Sequence, residues 1–468
     1  MVRLISPMTT PVGETAQEPG GARQRLPCVA FVAGAFVVCL IRLAGFVEAD
    51  AVNVFFEDQW DFLRPLFERR GPLSCFFWQH GPHRQGLGGV IDWFLFNATG
   101  WNNCSEAWAA FVVLSLATIV AIALAVRLRG HLSWIDASFP LLILSPIHWE
   151  TMVLTPNLAH SILPLLLTLL LAYVWGPAGP ACRIIGACVF GTLALFTGFG
   201  SCCFPVVVCL AFLLLLRPGN AAAPTGRRQL LAILIVLAVA SAGFALGYHW
   251  NPAVPGWRFP VPEWWDYPRF CALMFTGLIG WRTISIPSTI VGFAMLSLVT
   301  AAFVVAATAI WRRRATPLLQ AVFVLIGTSL VYAVLTAIGR LPITLQAAFM
   351  WRYATLMTPA LCGLVLAFEG IGASRGPGFR SAFIVGWLAL SCVIWSDLKP
   401  ERYGAAIAEA KKQWAVSYLR THDLDAANRS SGFAVYSPSP ASPEVAAHLR
   451  WLEKQHLSFF RDPPDGSQ

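Results

Sequence analysis

Long apolar runs separated by short polar breaks dominate the chain. The runs at 158–175, 229–247, 289–310 and 318–337 are each close to the ~20 residues a helix needs to cross about 30 Å of hydrocarbon. Apolar positions within them do not alternate at period two, which argues against a transmembrane barrel. The pattern predicts spans near 26–47, 107–126, 134–149, 158–175, 183–199, 202–216, 229–248, 286–311, 317–338, 353–371 and 380–396. The expected fold is an all-α polytopic membrane protein with about eleven transmembrane helices.

The polar stretches between the runs give the domain plan. Residues 1–26 hold Pro, Gly, Arg3, Arg23 and Arg25 and read as a disordered cytoplasmic segment. Ala49-Asp50-Ala51 looks like a small-residue cleavage site. The preceding run is longer than a signal h-region, so an uncleaved first span is expected. A transmembrane domain over 27–396 then contains a long first outer loop, 48–106, and a second outer segment, 249–285. A small, soluble C-terminal tail covers 397–468.

Charge sets the orientation. Arg127 and Arg129, Arg183, Arg217 with Arg227 and Arg228, Arg312–Arg314, and Arg375 with Arg380 fall on the side of the N-terminus. By the positive-inside rule that side is cytoplasmic, in an inner (plasma) membrane, and the tail lies outside. Residues 270–280 are read as re-entrant or interfacial, because a span there would put Arg312–Arg314 outside.

Composition agrees with this class. Of 468 residues, 57% are hydrophobic and 12% charged, with a net charge of +9. Soluble domains carry about 25% charged residues. The positive charge sits at span ends, so no nucleic-acid partner is expected. The twelve cysteines lie mostly inside apolar runs, as small hydrophobes do. Cys75 and Cys104 share the first outer loop, where an oxidising compartment would let them pair.

Candidate chemistry concentrates in that loop. Glu57-Asp58-Gln59-Trp60-Asp61 places three carboxylates just after the first span, and Gln79-His80-Gly81-Pro82-His83-Arg84 follows. A carboxylate at a membrane surface can act as a general base, and an arginine fork can hold phosphate. The competing reading is an interfacial amphipathic segment, since Trp60, Phe62, Leu63, Leu66 and Phe67 suit a membrane surface. His80 and His83 lack a Glu or Cys at zinc spacing, so no metal is expected. Arg340, Arg352 with Tyr353, Arg282 and Arg42 lie near span ends, where snorkelling anchors compete with phosphate contacts. Glu150, beside Trp149 and Asn157, is a weaker candidate acid. The sequons at Asn97, Asn103 and Asn428 arise often by chance.

On Glu57–Asp61, Gln79–Arg84, Arg352-Tyr353 and the tail stretches Tyr436-Ser437-Pro438 and 452–460, the chain resembles bacterial multi-span membrane proteins of the GT-C glycosyltransferase type. The resemblance implies a polyprenyl-phosphate sugar donor and a catalytic carboxylate in the first outer loop. That role would fall on Asp58, with Glu57 or Asp61 as substitutes. His80, His83, Arg84, Arg340, Arg352 and Tyr353 would contact substrate. Gly81-Pro82 departs from the more polar residues of relatives, and a clean Asp-x-Asp metal motif is missing, so no cofactor is carried over.

The expected activity is sugar transfer from a lipid-linked donor to a glycan, lipid or protein acceptor at the outer face. The rivals are a lipid or polysaccharide transporter or flippase, a polysaccharide polymerase or ligase, and a non-enzymatic scaffold. Transporters favour repeats and midplane polar sites. No repeat is evident here. Convergence of Asp58, His83 and Arg352 on one cavity separates surface chemistry from the rest.

Overall fold

The computed structural model describes residues 20–216, 224–250, 257–372, 376–436 and 443–464. Most of the expected disordered N-terminus, Arg217, Arg375 and the Ser437-Pro438 stretch lie outside them. Helix α1 (Gly20–Asp50) already begins at Gly20, so the last residues of the segment expected to be disordered are helical. The first loop then folds as α2 (Gln59–Phe62), α3 (Arg64–Phe67), α4 (Pro72–Phe77), the hairpin β1 (Gln79–His80) and β2 (His83–Arg84), and α5 (Gly86–Thr99).

The remaining bundle comprises α6 (Cys104–Arg129), α7 (Ser138–Ile143), α8 (Leu163–Trp175), α9 (Pro180–Phe196), α10 (Cys203–Leu216), α11 (Pro224–Ala245), α12 (Asp266–Leu278), α13 (Ile286–Trp311), α14 (Pro317–Arg340), α15 (Ala354–Gly372) and α16 (Pro377–Trp395). The tail forms α17 (Lys399–Thr421), α18 (Leu424–Ser431) and α19 (Pro443–Lys454). Among the described residues, nine helices are long and apolar enough to cross a membrane, and Pro180–Phe196 is a shorter apolar tenth. The chain is therefore an all-α polytopic membrane protein.

One expected span changes. The run at 134–149 is not one helix. Pro140 and Ser145-Pro146 break it into α7 and flanking 3₁₀ turns, because proline removes a backbone donor and clashes with the preceding turn. The chain from this run to the start of the next still reaches both ends of α6. Asp136 pairs with Arg129, while the Leu158 N–H donates to Glu106. Cys75 and Cys104, whose pairing the sequence left open, are both free thiols. At 270–280, α12 is thirteen residues long with Phe270–Leu278 buried. At 1.5 Å per residue it reaches only about 20 Å, short of a full crossing.

Tail and first loop share one core. Trp414, Tyr418 and Phe459 pack with Phe55, Trp60 and Trp101. The ammonium of Lys411 is buried and donates to the carbonyls of Val153 and Leu154 at 3.0 and 2.7 Å. The Glu57 N–H donates to Val435 O at 2.8 Å, and Ser458 N–H to Gly100 O at 2.9 Å. The tail thus braces the turn that carries Asp58.

Glycine allows the closest approach near the site. Gly198 has φ +49°, and a Cβ there would stand 1.8 Å from Ala159 O. Both the left-handed backbone and the overlap penalise a side chain. Gly198→Ala is expected to destabilise the protein by about 2–4 kcal/mol, read as a lower melting temperature in detergent. An unchanged melting temperature would show that the two backbones are not in contact.

Candidate functional site

Strand geometry decides which way the first-loop residues face. In the hairpin, His80 pairs with His83 and Gln79 with Arg84. Neighbours along a strand point to opposite sides. His80 and His83 accordingly line a cavity of about 290 Å³. Gln79 and Arg84 turn away toward the end of α11. The Gln79 amide exchanges hydrogen bonds with the His249 backbone.

Arg84 is buried, at 4% exposure. Its guanidinium donates to the carbonyls of Phe244 at 3.0 and 3.2 Å and of Leu246 at 2.5 Å, and also to Phe77 O. A cation on the last carbonyls of a helix is favourable. Arg84 is thus a clamp on α11 and not, as expected, a substrate contact.

The polar end of the cavity gathers Asp58, His80, His83, Arg340, Arg352 and Tyr353, together with His160. These are most of the residues singled out from the sequence. Arg352 is held on two sides. Its Nε donates to Glu150 Oε1 at 2.6 Å and its backbone N–H to Glu150 Oε2 at 2.9 Å. Its Nη1 lies 3.8 Å from Asp58 Oδ2, and the Asp58 side chain is 40% exposed. Glu150 therefore orients an arginine instead of acting as an acid. Among the described residues Arg340 makes no ion pair, which leaves its charge available to a ligand.

Glu57 and Asp61 stand outside the cavity. Glu57 has a left-handed φ of 50°, and its N–H is tied to the tail. Asp61 Oδ2 accepts from the Tyr436 hydroxyl at 3.4 Å. Burial raises the Asp61 carboxyl, with His80 opposing the shift. Arg282 also lies off the cavity, stacked on Trp351 with its guanidinium 3.2 Å from the ring centroid. Burial lowers its pKa to about 9.

His83 Nε2 and His160 Nε2 are 2.7 Å apart, so one donates and the other accepts. Burial pushes His83 down to about 3, helped by His80 and Arg340. Burial also lowers His80, against the pull of Asp58 and Asp61. Both rings are neutral near pH 7. They offer hydrogen bonds, not charge.

The far wall of the cavity is apolar and aromatic: Phe199, Tyr332, Leu335 and Ile338, with Tyr248 and Trp257. Leu335 is 50% exposed on the bundle surface. One cavity thus joins a charged mouth to an apolar flank, which suits an amphiphile. Sequence reading missed His160, Tyr332, Tyr248 and Trp257. His160 carried a faint signal, as a polar residue just inside an apolar run after Asn157. Among the described residues, no group of three or more His, Cys, Asp or Glu has the arrangement to hold a metal ion.

No protein-family model and no curated protein matches the chain. Among solved structures, it is similar to the crystal structure of ArnT from Cupriavidus metallidurans bound to undecaprenyl phosphate. The TM-score is 0.40 and the identity 15%, over 92% of this chain and 77% of that one. At that level of similarity, function has to be argued from the cavity itself.

Proposed function

We propose that the protein is a membrane glycosyltransferase of the GT-C type that moves a sugar from a polyprenyl-phosphate donor to an acceptor hydroxyl. The observation that carries this reading is the meeting of Asp58, Arg340 and Arg352 at the mouth of a cavity with an apolar flank. A lipid-linked sugar has the matching parts: an apolar chain, one phosphate and a polar sugar.

In the reaction, Asp58 accepts the proton of the acceptor hydroxyl as its oxygen bonds the anomeric carbon. The bond from that carbon to the phosphate oxygen breaks, and the electron pair leaves with polyprenyl phosphate. Arg340 offsets the charge that develops on the phosphate. Arg352, with Glu150 as its counter-ion, holds Asp58 at the mouth. The neutral His80 and His83 and the Tyr353 hydroxyl bind sugar hydroxyls. Arg352 is engaged by both Glu150 and Asp58, so of the two cavity arginines Arg340 is the one whose charge is left to meet a phosphate.

The reaction is assigned to the extracytoplasmic face, with the N-terminus cytoplasmic and the tail outside. A reporter fused after Ser458 is expected to read as extracytoplasmic, and a cytoplasmic signal would overturn that orientation. The activity is tested by incubating membranes containing the protein with a panel of polyprenyl-phosphate sugars. Release of polyprenyl phosphate that depends on the protein and on an acceptor is the expected result. No release with any donor would remove the transferase reading.

A further inference from the structure

Helix α17 of the tail lies against the turns that carry Asp58, Glu150 and Arg352, and the proposed reaction does not use it. Its Tyr403 ring stacks on Trp149, with centroids 6.0 Å and planes 17° apart, and meets Trp351 at 6.2 Å. Trp149 immediately precedes Glu150, and Trp351 immediately precedes Arg352. About two turns further along α17, Lys411 is fully buried. Its ammonium donates to Val153 O at 3.0 Å and Leu154 O at 2.7 Å. It also stands over the Phe56 ring, 5.6 Å from the centroid. Phe56 lies just before Glu57-Asp58, and its N–H donates to Gln59 Oε1 at 3.0 Å.

The carbonyls that Lys411 holds belong to the turn that fixes the Glu150 backbone. The Val153 N–H donates to Trp149 O at 2.9 Å, and the Thr155 N–H to Glu150 O at 2.9 Å. A buried carbonyl without a donor is unfavourable, and a lysine on the last carbonyls of a turn satisfies them. A buried ammonium is itself costly unless its hydrogens are met. Here two carbonyls and an aromatic face meet them. The contacts that offset its burial therefore tie α17 to the Glu150 turn and to the Asp58 turn at once. From Glu150 the chain of contacts runs on to the cavity. Its two carboxylate oxygens hold the Arg352 side chain and backbone, and Arg352 Nη1 faces Asp58.

We propose that Lys411 is a positioning residue for the transferase reaction, and that with Tyr403 it makes α17 a splint that sets Glu150, Arg352 and Asp58 relative to one another. Neither Lys411 nor Tyr403 lines the cavity. The kinetic arm of the test rests on the proposed transferase reading; the hydrogen-exchange arm does not.

The test compares wild type, Lys411→Met, Tyr403→Ala, Glu150→Gln and the double variant Glu150→Gln with Lys411→Met in lipid nanodiscs. Methionine keeps an unbranched stem and removes the donors. Tyr403 is 52% exposed, so Tyr403→Ala leaves the buried core intact and carries the test where Lys411→Met fails to fold. Amide exchange across residues 149–155 and 351–353 is expected to quicken about tenfold in Lys411→Met and about threefold in Tyr403→Ala, with α13 and α14 unchanged. For transfer from a polyprenyl-phosphate sugar, kcat is expected to fall about tenfold in Lys411→Met and about threefold in Tyr403→Ala. Donor KM is expected to move less than about twofold, the signature of misplacement. In the Glu150→Gln background, Lys411→Met is expected to cost less than about twofold more, because both changes act through Arg352.

Unchanged exchange at these turns in both variants, or quickening spread evenly through the bundle, would overturn the splint. Full kcat in both variants, or full additivity of Lys411→Met with Glu150→Gln, would overturn the positioning role. Localised quickening with no transfer by wild type from any donor would support the splint and count against the transferase reading alone.

Discussion

Asp58→Asn is expected to insert and fold as wild type does and to lose about 10²-fold or more in turnover, the scale of general-base loss. The change keeps the shape of the side chain and removes its capacity to take a proton. Asp58 is the one carboxylate of the first-loop trio that lines the cavity, and its side chain is 40% exposed, open to an incoming hydroxyl. Asp61→Asn is expected to cost less than about threefold, because Asp61 faces Tyr436 away from the cavity. Glu57→Gln is expected to behave similarly, since Glu57 is not among the residues that line the cavity. Single-turnover transfer in membranes, with melting temperatures as a control for folding, measures all three. Full activity of Asp58→Asn would remove it as the base. Loss in Glu57→Gln instead would move the role by one residue.

The contrast among three neighbouring carboxylates shows what a sequence can and cannot convey. Span lengths and arginine clusters are one-dimensional properties, so the membrane class, most spans and the richness of the first loop were readable directly. Facing is not one-dimensional. His83 and Arg84 are adjacent, yet a two-residue strand sends one into the cavity and the other onto the carbonyls of α11. A short hairpin containing Gly81-Pro82 gives no periodic signal long enough to reveal that alternation. His160 hid for a different reason. It lies inside an apolar run, where a lone histidine reads as a core residue until His83 is found 2.7 Å away.

Long-range pairing was equally silent. Glu150 looked like a weak acid because its partner Arg352 lies some two hundred positions away in sequence. The tail looked like a separate soluble piece because its helices are polar on one face. The other face carries Trp414 and Tyr418, which complete the core of the first loop. The run at 134–149 was legible as apolar but not as broken. Pro140 and Pro146 were visible, and a proline costs a helix interior about 3 kcal/mol. That cost outweighs the apolar pattern where packing against α6 supplies the burial.

The same distinction between charge and placement governs the second large effect. Two arginines line the cavity, and they are not equivalent. Arg352 is saturated by Glu150 at 2.6 Å and faces Asp58 at 3.8 Å. Its substitution by Lys keeps the charge but loses the planar fork, and is expected to cost about 1–3 kcal/mol in kcat/KM through misplacement of Asp58. Arg340 has no carboxylate partner among the described residues, and sits at the C-terminal end of α14 on the cavity wall. Removing it leaves the departing phosphate without its counter-charge in a site partly shielded from water, where such contacts are strongest. Arg340→Gln is therefore expected to lower kcat by about 10²–10³-fold. It should also weaken product inhibition by polyprenyl phosphate, whereas Arg352→Lys leaves that inhibition intact. Inhibition constants for polyprenyl phosphate in the two variants decide the matter. Equal weakening in both would show that the two arginines share the phosphate. An unchanged constant in Arg340→Gln would return that residue to the role of an interfacial anchor on α14.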